Sequence, residues 1–213
     1  MKQPRIEKSL PPSLGIRLCG ALLLIVALVQ PAHRLAAQQE SELAGQLLVA
    51  TPEMKDPRFV ESVIYIVKHN HEGTLGLVIN RPLAQAPIED MFKGSGGDGK
   101  DATRKVTVHY GGPVSPRQGF VLHSDEFVLE NSTRVKDGIA MTSDTRIVGE
   151  ISTGKGPRQF LLMIGYAGWA PGQLEDEIKA KSWFLIRADK EFIFDKEAEK
   201  KWRRAMDKRQ IRL

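Results

Sequence analysis

Apolar positions along this chain fall in short dense runs broken by glycine and proline, and the longest run lies near the start. Leu18–Val29 is an unbroken run of 12 apolar residues. Lys2, Arg5, Lys8 and Arg17 precede it, and Pro31 and the small-residue stretch Leu35-Ala36-Ala37 follow. A basic segment, an apolar segment and a small-residue cleavage site, in that order, define a signal peptide. The run is shorter than the roughly 20 residues that a spanning helix needs. Residues 1–37 are therefore read as a signal peptide, residues 38–44 as a polar lead, and residues 45–213 as a single domain. The expected location is exported, with periplasm and medium both open. A cytoplasmic product is the alternative if residues 1–37 are not a signal.

Beyond the lead, the pattern predicts mostly strands. Leu47–Ala50 is a buried strand, and Thr51–Pro57 a loop, because Pro52 and Pro57 exclude helix. Residues 62–68 (SVIYIVK) and 75–80 (LGLVIN) alternate around the connector 70–74, where Gly73 supplies the positive φ that a hairpin requires. Ile88–Phe92 reads as one helical turn and 93–103 as a loop. Lys105–Tyr110 and Gly119–His123 are strands divided by the Gly111-Gly112-Pro113 turn, and Ile139–Thr142 is another. Ser143 caps a short helix to Ser152, and Phe160–Ile164 is a buried strand. Gly168–Gly172 is a turn and Gln173–Ala180 a helix. Trp183–Ile186 and Phe192–Phe194 form a strand pair, and Lys196–Lys208 a terminal helix docked by Trp202 and Met206. Strands pair locally and helices cluster late, which is α+β order.

Composition changes this picture in two ways. Residues 1–37 hold five of the 31 basic and one of the 26 acidic residues, so the remaining 176 carry 26 and 25. The high pI belongs to the leader and to the tail 195–213, and a nucleic-acid binder would show a basic domain or stripe. Nucleic acid is thus not the expected partner of an exported chain, and the membrane is met only through the signal. The one cysteine, Cys19, lies inside the apolar run, so the mature chain has neither disulfides nor a thiol nucleophile. Arg17 before it is a poor fit to a lipidation site.

Candidate chemistry is thin. Gly94 to Gly99-Lys100 matches most of a phosphate-binding loop, but Asp101 stands where Ser or Thr is required and the strand–loop–helix context is wrong. His69, His71 and Glu72 could meet one metal with His109 or His123, yet they fall at a hairpin tip where side chains are solvated. Ser62, Ser124, Thr142 and Ser143 are the nucleophile candidates. Ser124 and His123, as strand neighbours, point to opposite faces. No metal or other cofactor is expected. The most distinctive stretch is Tyr166-Ala167-Gly168-Trp169 before Pro171-Gly172-Gln173-Leu174. It reads either as a rigid corner packed by Trp169 or as a surface built on Tyr166 and Trp169. Glu175, Asp176 and Glu177 satisfy the following helix's dipole and repel phosphate. The basic tail is a solvated helix face or an anion contact.

Three stretches in order, 45–82, 111–124 and 165–178 with Ser182-Trp183, resemble the bacterial AlgH/YqgE family over about residues 45–206. The resemblance implies an α+β fold, a bifurcated mostly antiparallel sheet with a small closed barrel surrounded by helices. The family is described as transcriptional regulators without an established enzymatic activity, so no catalytic set carries over. This chain departs from the family pattern in its leader, in Lys181 before Ser-Trp, and in its basic tail. The expected role is a non-enzymatic binding or regulatory domain, its ligand an unidentified protein or small molecule. Its expected surface comprises Thr51, Pro52, Asp56, Asn80, Arg81, Tyr166, Gly168, Trp169 and Gln173. Alternatives are a cytoplasmic transcription-linked regulator and a hydrolase or metal-dependent enzyme using His69, His71 or His123.

Overall fold

Strands β1 (Gln46–Ala50), β2 (Val63–Asn70) and β3 (Gly73–Val78) are apolar on both faces because both faces are covered. Leu47 and Val49 point into one core with Tyr65 and Leu77, while Leu48 and Ala50 point into another with Ile64, Trp169 and Trp183. The computed structural model describes residues 43–87 and 105–210. The expected signal peptide, most of the lead, the turn at 88–92 and the loop at 93–103 lie outside the described residues.

The remaining elements are β4 (Pro82–Pro87), β5 (Lys105–Tyr110), β6 (Val114–Ser124), β7 (Thr133–Arg134), β8 (Ile139–Thr142) and α1 (Arg146–Ser152). They continue through β9 (Phe160–Trp169), α2 (Gln173–Lys179), β10 (Trp183–Arg187), α3 (Lys190–Phe194) and α4 (Lys201–Gln210), with a 3₁₀ turn at Ala198–Lys200. The sheet runs β10-β1-β2-β3-β9-β6-β8-β7, with the β4–β5 pair branching from β9. Among the described residues, all pairings are antiparallel except β5 with β9. The α+β class and the bifurcated, mostly antiparallel sheet agree with the expectation. The sheet curls into a half-barrel, with β10 and β7 as the two ends of the hydrogen-bonded path.

The bifurcation lies on one edge of β9. Its first half, Leu162–Ile164, pairs with β5, and its second half, Ala167–Trp169, pairs with β3. Gly165 stands between the halves with φ +71°, and a Cβ on it would sit 2.3 Å from the Gly112 carbonyl oxygen. A Cβ on Gly111 would sit 2.2 Å from the Gly165 oxygen. Two backbones meet here at a distance that only glycine permits. Gly111 then accepts from Val78 N at 2.9 Å and donates to Ile164 O at 2.8 Å, joining the two branches.

Helices cover the sheet by stripe. Ile147, Val148 and Ile151 of α1 pack on Val106, Val121 and Leu162. Phe192, Ile193 and Ala205 of α3 and α4 cover the Leu47–Tyr65 face, and Leu174 of α2 covers the Leu48–Trp169 face.

Several expectations are corrected. Phe192–Phe194 is helical, because the Asp189 carboxylate caps α3 by accepting from Phe192 N at 2.6 Å. The partner of β10 is β1. Ser143 does not cap α1; Asp144 lies at that end, accepting from Arg146 N at 3.0 Å. Gly168 and Trp169 end β9, so the turn starts at Ala170. The terminal helix begins only at Lys201. β4 escaped the sequence reading because proline stands at both its ends, which suits a strand paired on one side.

Replacing Gly165 with alanine should destabilise the domain by about 3 kcal/mol or more, read from the denaturant midpoint. Gly154→Ala is the control. Gly154 also has positive φ, but nothing lies near its Cβ position, so only the conformational penalty of about 1–2 kcal/mol should appear. Equal losses at both positions would mean that the backbone contact at the fork contributes nothing.

Candidate functional site

The residues between β1 and β2 form a loop laid across one end of the sheet, and four separate anchors hold it. Thr51 N donates to Ser182 O at 3.0 Å and its hydroxyl to Lys181 O at 2.7 Å, tying the loop to the α2–β10 connection. Asn80 Oδ1 accepts from Val63 N at 2.8 Å while its Nδ2 donates to Glu61 O at 2.9 Å. Arg81 donates from Nη1 to Arg58 O and from Nη2 to Val60 O, both at 2.6 Å. Phe59 stacks on Trp169 with centroids 6.3 Å apart and meets Trp183 edge-on at 5.6 Å. Asp56 and Arg58 form a bidentate pair at the loop surface, and the Arg58 guanidinium holds the Asp56 carboxyl below its ordinary range.

Beneath this loop lies an aromatic corner organised by one carboxylate. Trp169 Nε1 and Trp183 Nε1 both donate to Glu177 Oε2, at 2.9 and 2.7 Å. Gln173 Nε2 donates to the other oxygen at 2.8 Å, and Gln173 Oε1 accepts from Ala170 N at 3.0 Å. The two indoles are edge-to-face, 6.0 Å apart. Hydrogen bonds to an ionised acceptor are stronger than neutral ones, so one side chain on α2 fixes β9, β10 and the turn between β9 and α2. Glu175 is also engaged, meeting His69 Nε2 at 3.2 Å, while His69 Nδ1 lies 2.7 Å from the Thr74 hydroxyl.

The structure thus brings the three expected groups of residues together, but at different depths. Thr51, Asn80 and Trp169 are buried at 3, 7 and 6 % exposure and shape the surface from beneath. Tyr166 is half-buried edge-on to Phe120. Pro52, Gly168 and Gln173 are exposed, and Asp56 and Arg81 are half-exposed. Of the two readings of the 166–173 stretch, the rigid corner describes Trp169 itself. Glu177 as a shared acceptor was missed, and so was Arg81 as a brace. The legible signal for the first was that two tryptophans both need an acceptor for their N–H.

The other candidates are separated. Among the described residues, no three or more His, Cys, Asp or Glu side chains converge as a metal site. His71 is in the turn, whereas His69 faces α2. The Ser124 hydroxyl donates to Glu126 Oε1 at 2.7 Å, and His123 Nδ1 lies 3.0 Å from the Ser124 carbonyl, so the two side chains share no proton. The glycine loop at 94–100 lies outside the described residues. In the tail, Lys200 pairs with Glu197, Arg204 with Asp195 and Lys208 with Asp189, and Lys201 is buried. Those cations are already engaged within the fold. No described helix is long and apolar enough to cross a membrane.

The architecture is that of a half-barrel α+β domain with an aromatic corner braced by a loop. The chain belongs to the AlgH-like family, whose model, DUF179, matches residues 47–213. A UPF0301 protein of Methylococcus capsulatus is 40% identical over 166 residues, 78% of this chain and 91% of that protein. One from Paracoccus denitrificans is 40% identical over 171 residues, 79% of this chain and 90% of that protein. Among solved structures, the AlgH protein of Pseudomonas aeruginosa superposes with a TM-score of 0.67 at 32% identity, covering 80% of this chain and 89% of that one. A Corynebacterium diphtheriae protein gives 0.63 at 25% identity, covering 82% and 92%.

Removing the shared acceptor with Glu177→Ala should destabilise the domain by about 2–4 kcal/mol, because two indole N–H groups lose their partner. Glu177→Gln, which keeps an acceptor oxygen, should lose less. Equal losses in chemical denaturation would argue against the shared acceptor. A second expectation concerns His123, which is fully buried with Nε2 unpartnered among the described residues and whose pKa burial lowers. A depressed basic group favours the neutral imidazole in the fold, so stability should decline as pH falls below about 6.5. The denaturant midpoint against pH should show this, with a shallower slope in His123→Gln.

Proposed function

We propose that this chain is a non-enzymatic binding or regulatory domain that works outside the cytoplasm. Its contact surface is the braced loop 51–62 together with Arg81 and the Gly168–Gln173 turn. The observation that carries the reading is the convergence of these three segments on one corner, each held from below by buried anchors. Loops positioned by a rigid scaffold are the usual carriers of recognition, and pre-organisation reduces the ordering cost of binding. Exposed Pro52, Gly168 and Gln173 and half-exposed Asp56 and Arg81 supply a rim of mixed polarity over that scaffold. The order of basic, apolar and small residues in 1–37 supports export. An exported chain meets envelope or external ligands and not the chromosome.

Both parts have direct tests. Pro52→Arg changes an exposed side chain, and Arg117→Glu on the exposed part of β6, outside the proposed surface, is the control. In cross-linking from fractionated cells, Pro52→Arg should lose species that the unsubstituted protein and Arg117→Glu retain, with melting temperatures within about 2 °C of each other. Identical profiles for all three would reject this surface. Intact-mass analysis of the native protein should find a species beginning near Gln38 outside the cytosol. A cytosolic product would overturn the export reading.

A further inference from the structure

α4 grips the candidate surface from behind through two backbone carbonyls. Trp202 Nε1 donates to Ala50 O at 2.8 Å, and Lys201 Nζ donates to Ile79 O at 3.4 Å. Ala50 immediately precedes Thr51, and Ile79 immediately precedes Asn80, the two buried anchors of the loop. Lys201 also donates to Ile193 O and Asp195 O, both at 2.9 Å. The residue is 0 % exposed, yet all three of its acceptors are carbonyls. The nearest carboxylate that bears on it, Asp195, is bound to Arg204. As the first residue of α4, Lys201 also stands at the positive end of the helix dipole. A buried ammonium with no carboxylate of its own is an expensive anchor.

His109 of β5 faces the same core: it stands in register with Met163 of β9, which packs with Ile79 and Ile193, the residues whose carbonyls accept from Lys201. His109 is 5 % exposed, with Nδ1 3.3 Å from Leu162 O. The charged groups that bear on Lys201 are Asp195 from the segment after α3 and Arg204 from α4, and Lys201 itself bears on His109.

We propose that α4 is a proton-sensitive strap: charging His109 in the core that also holds Lys201 places two cations in one desolvated space and loosens the helix from the carbonyls before Thr51 and Asn80. Like charges repel most strongly where water is excluded. Burial pushes the Lys201 amine down to about 8 and lowers His109 from its ordinary value. Both groups are neutral-favouring in the docked state, so docking weakens on acidification. The Lys201 contribution is lost as pH falls from about 10.5 to about 8. The His109 contribution is lost below about pH 6.5. The consequence for the binding surface rests on the function proposed above, whereas release of α4 is read without any partner.

Hydrogen exchange by mass spectrometry on the full chain tests this, with protection of α4 amides expressed relative to β2 at each pH. Relative protection should fall by roughly threefold or more between about pH 7.5 and about pH 5.5. His109→Gln should abolish that acid step, and Lys201→Met should flatten the alkaline one. A constant ratio between α4 and β2 across the range overturns the proposal, as does an acid step retained in folded His109→Gln. If that variant does not fold, the imidazole titration of His109 followed by NMR in the unsubstituted protein replaces it. A midpoint within about half a pH unit of the α4 step supports the strap, and one further away overturns it.

Discussion

The close backbone contact at the fork of β9 governs the layout of this domain. The backbones at Gly165 and Gly111-Gly112 approach so nearly that a side-chain carbon on Gly111 would collide with the Gly165 oxygen and one on Gly165 with the Gly112 oxygen. That contact lets one edge of β9 serve β5 along its first half and β3 along its second. The chain leaving β3 must cross the gap between these branches to begin β4, so Asn80 and Arg81 stand in the crotch. There they reach the loop after β1, with hydrogen bonds to Val63 and Glu61 from Asn80 and to Arg58 and Val60 from Arg81. The placement of the candidate surface thus follows from sheet geometry and not from any local motif.

A second constraint acts on the opposite side of the same corner. Trp169 ends β9 and Trp183 begins β10, and Glu177 on the intervening helix receives both indole N–H groups. Phe59 closes the cluster from the loop. Burying three aromatic rings is a large apolar gain, but each indole also demands an acceptor. A carboxylate with two oxygens meets that demand and still holds Gln173 at the turn. The same residues therefore set stability and shape here.

Much of the fold was legible locally. β1, β5, β8, α2 and β10 are found close to where apolar runs, β-branched residues and turn glycines placed them. Where the reading failed, a competing local interaction or a distant partner decided. Phe192-Ile193-Phe194 has strand-like composition, but the Asp189 cap and cover from α4 make it helical. β4 has two prolines and no apolar alternation, and pairing with β5 alone defines it. In the candidate site, Pro52, Asp56, Arg81, Gly168 and Gln173 were readable as surface because they lie in loops or at element ends. Thr51, Asn80 and Trp169 were not, because their partners stand 130, 17 and eight positions away.

By itself, the sequence determined the α+β class and the absence of cysteine after residue 37, since periodicity, breakers and composition are local properties. It also determined the family, through three motifs in order. Only the tertiary structure decided that Glu177 joins two tryptophans, that Arg81 braces a loop, and that Lys201 in a tail rich in charge is wholly buried. The physical reason is common to all three. A charged side chain looks solvated from its neighbours in sequence, and its burial depends on carbonyls and indoles that only the folded sheet brings within reach.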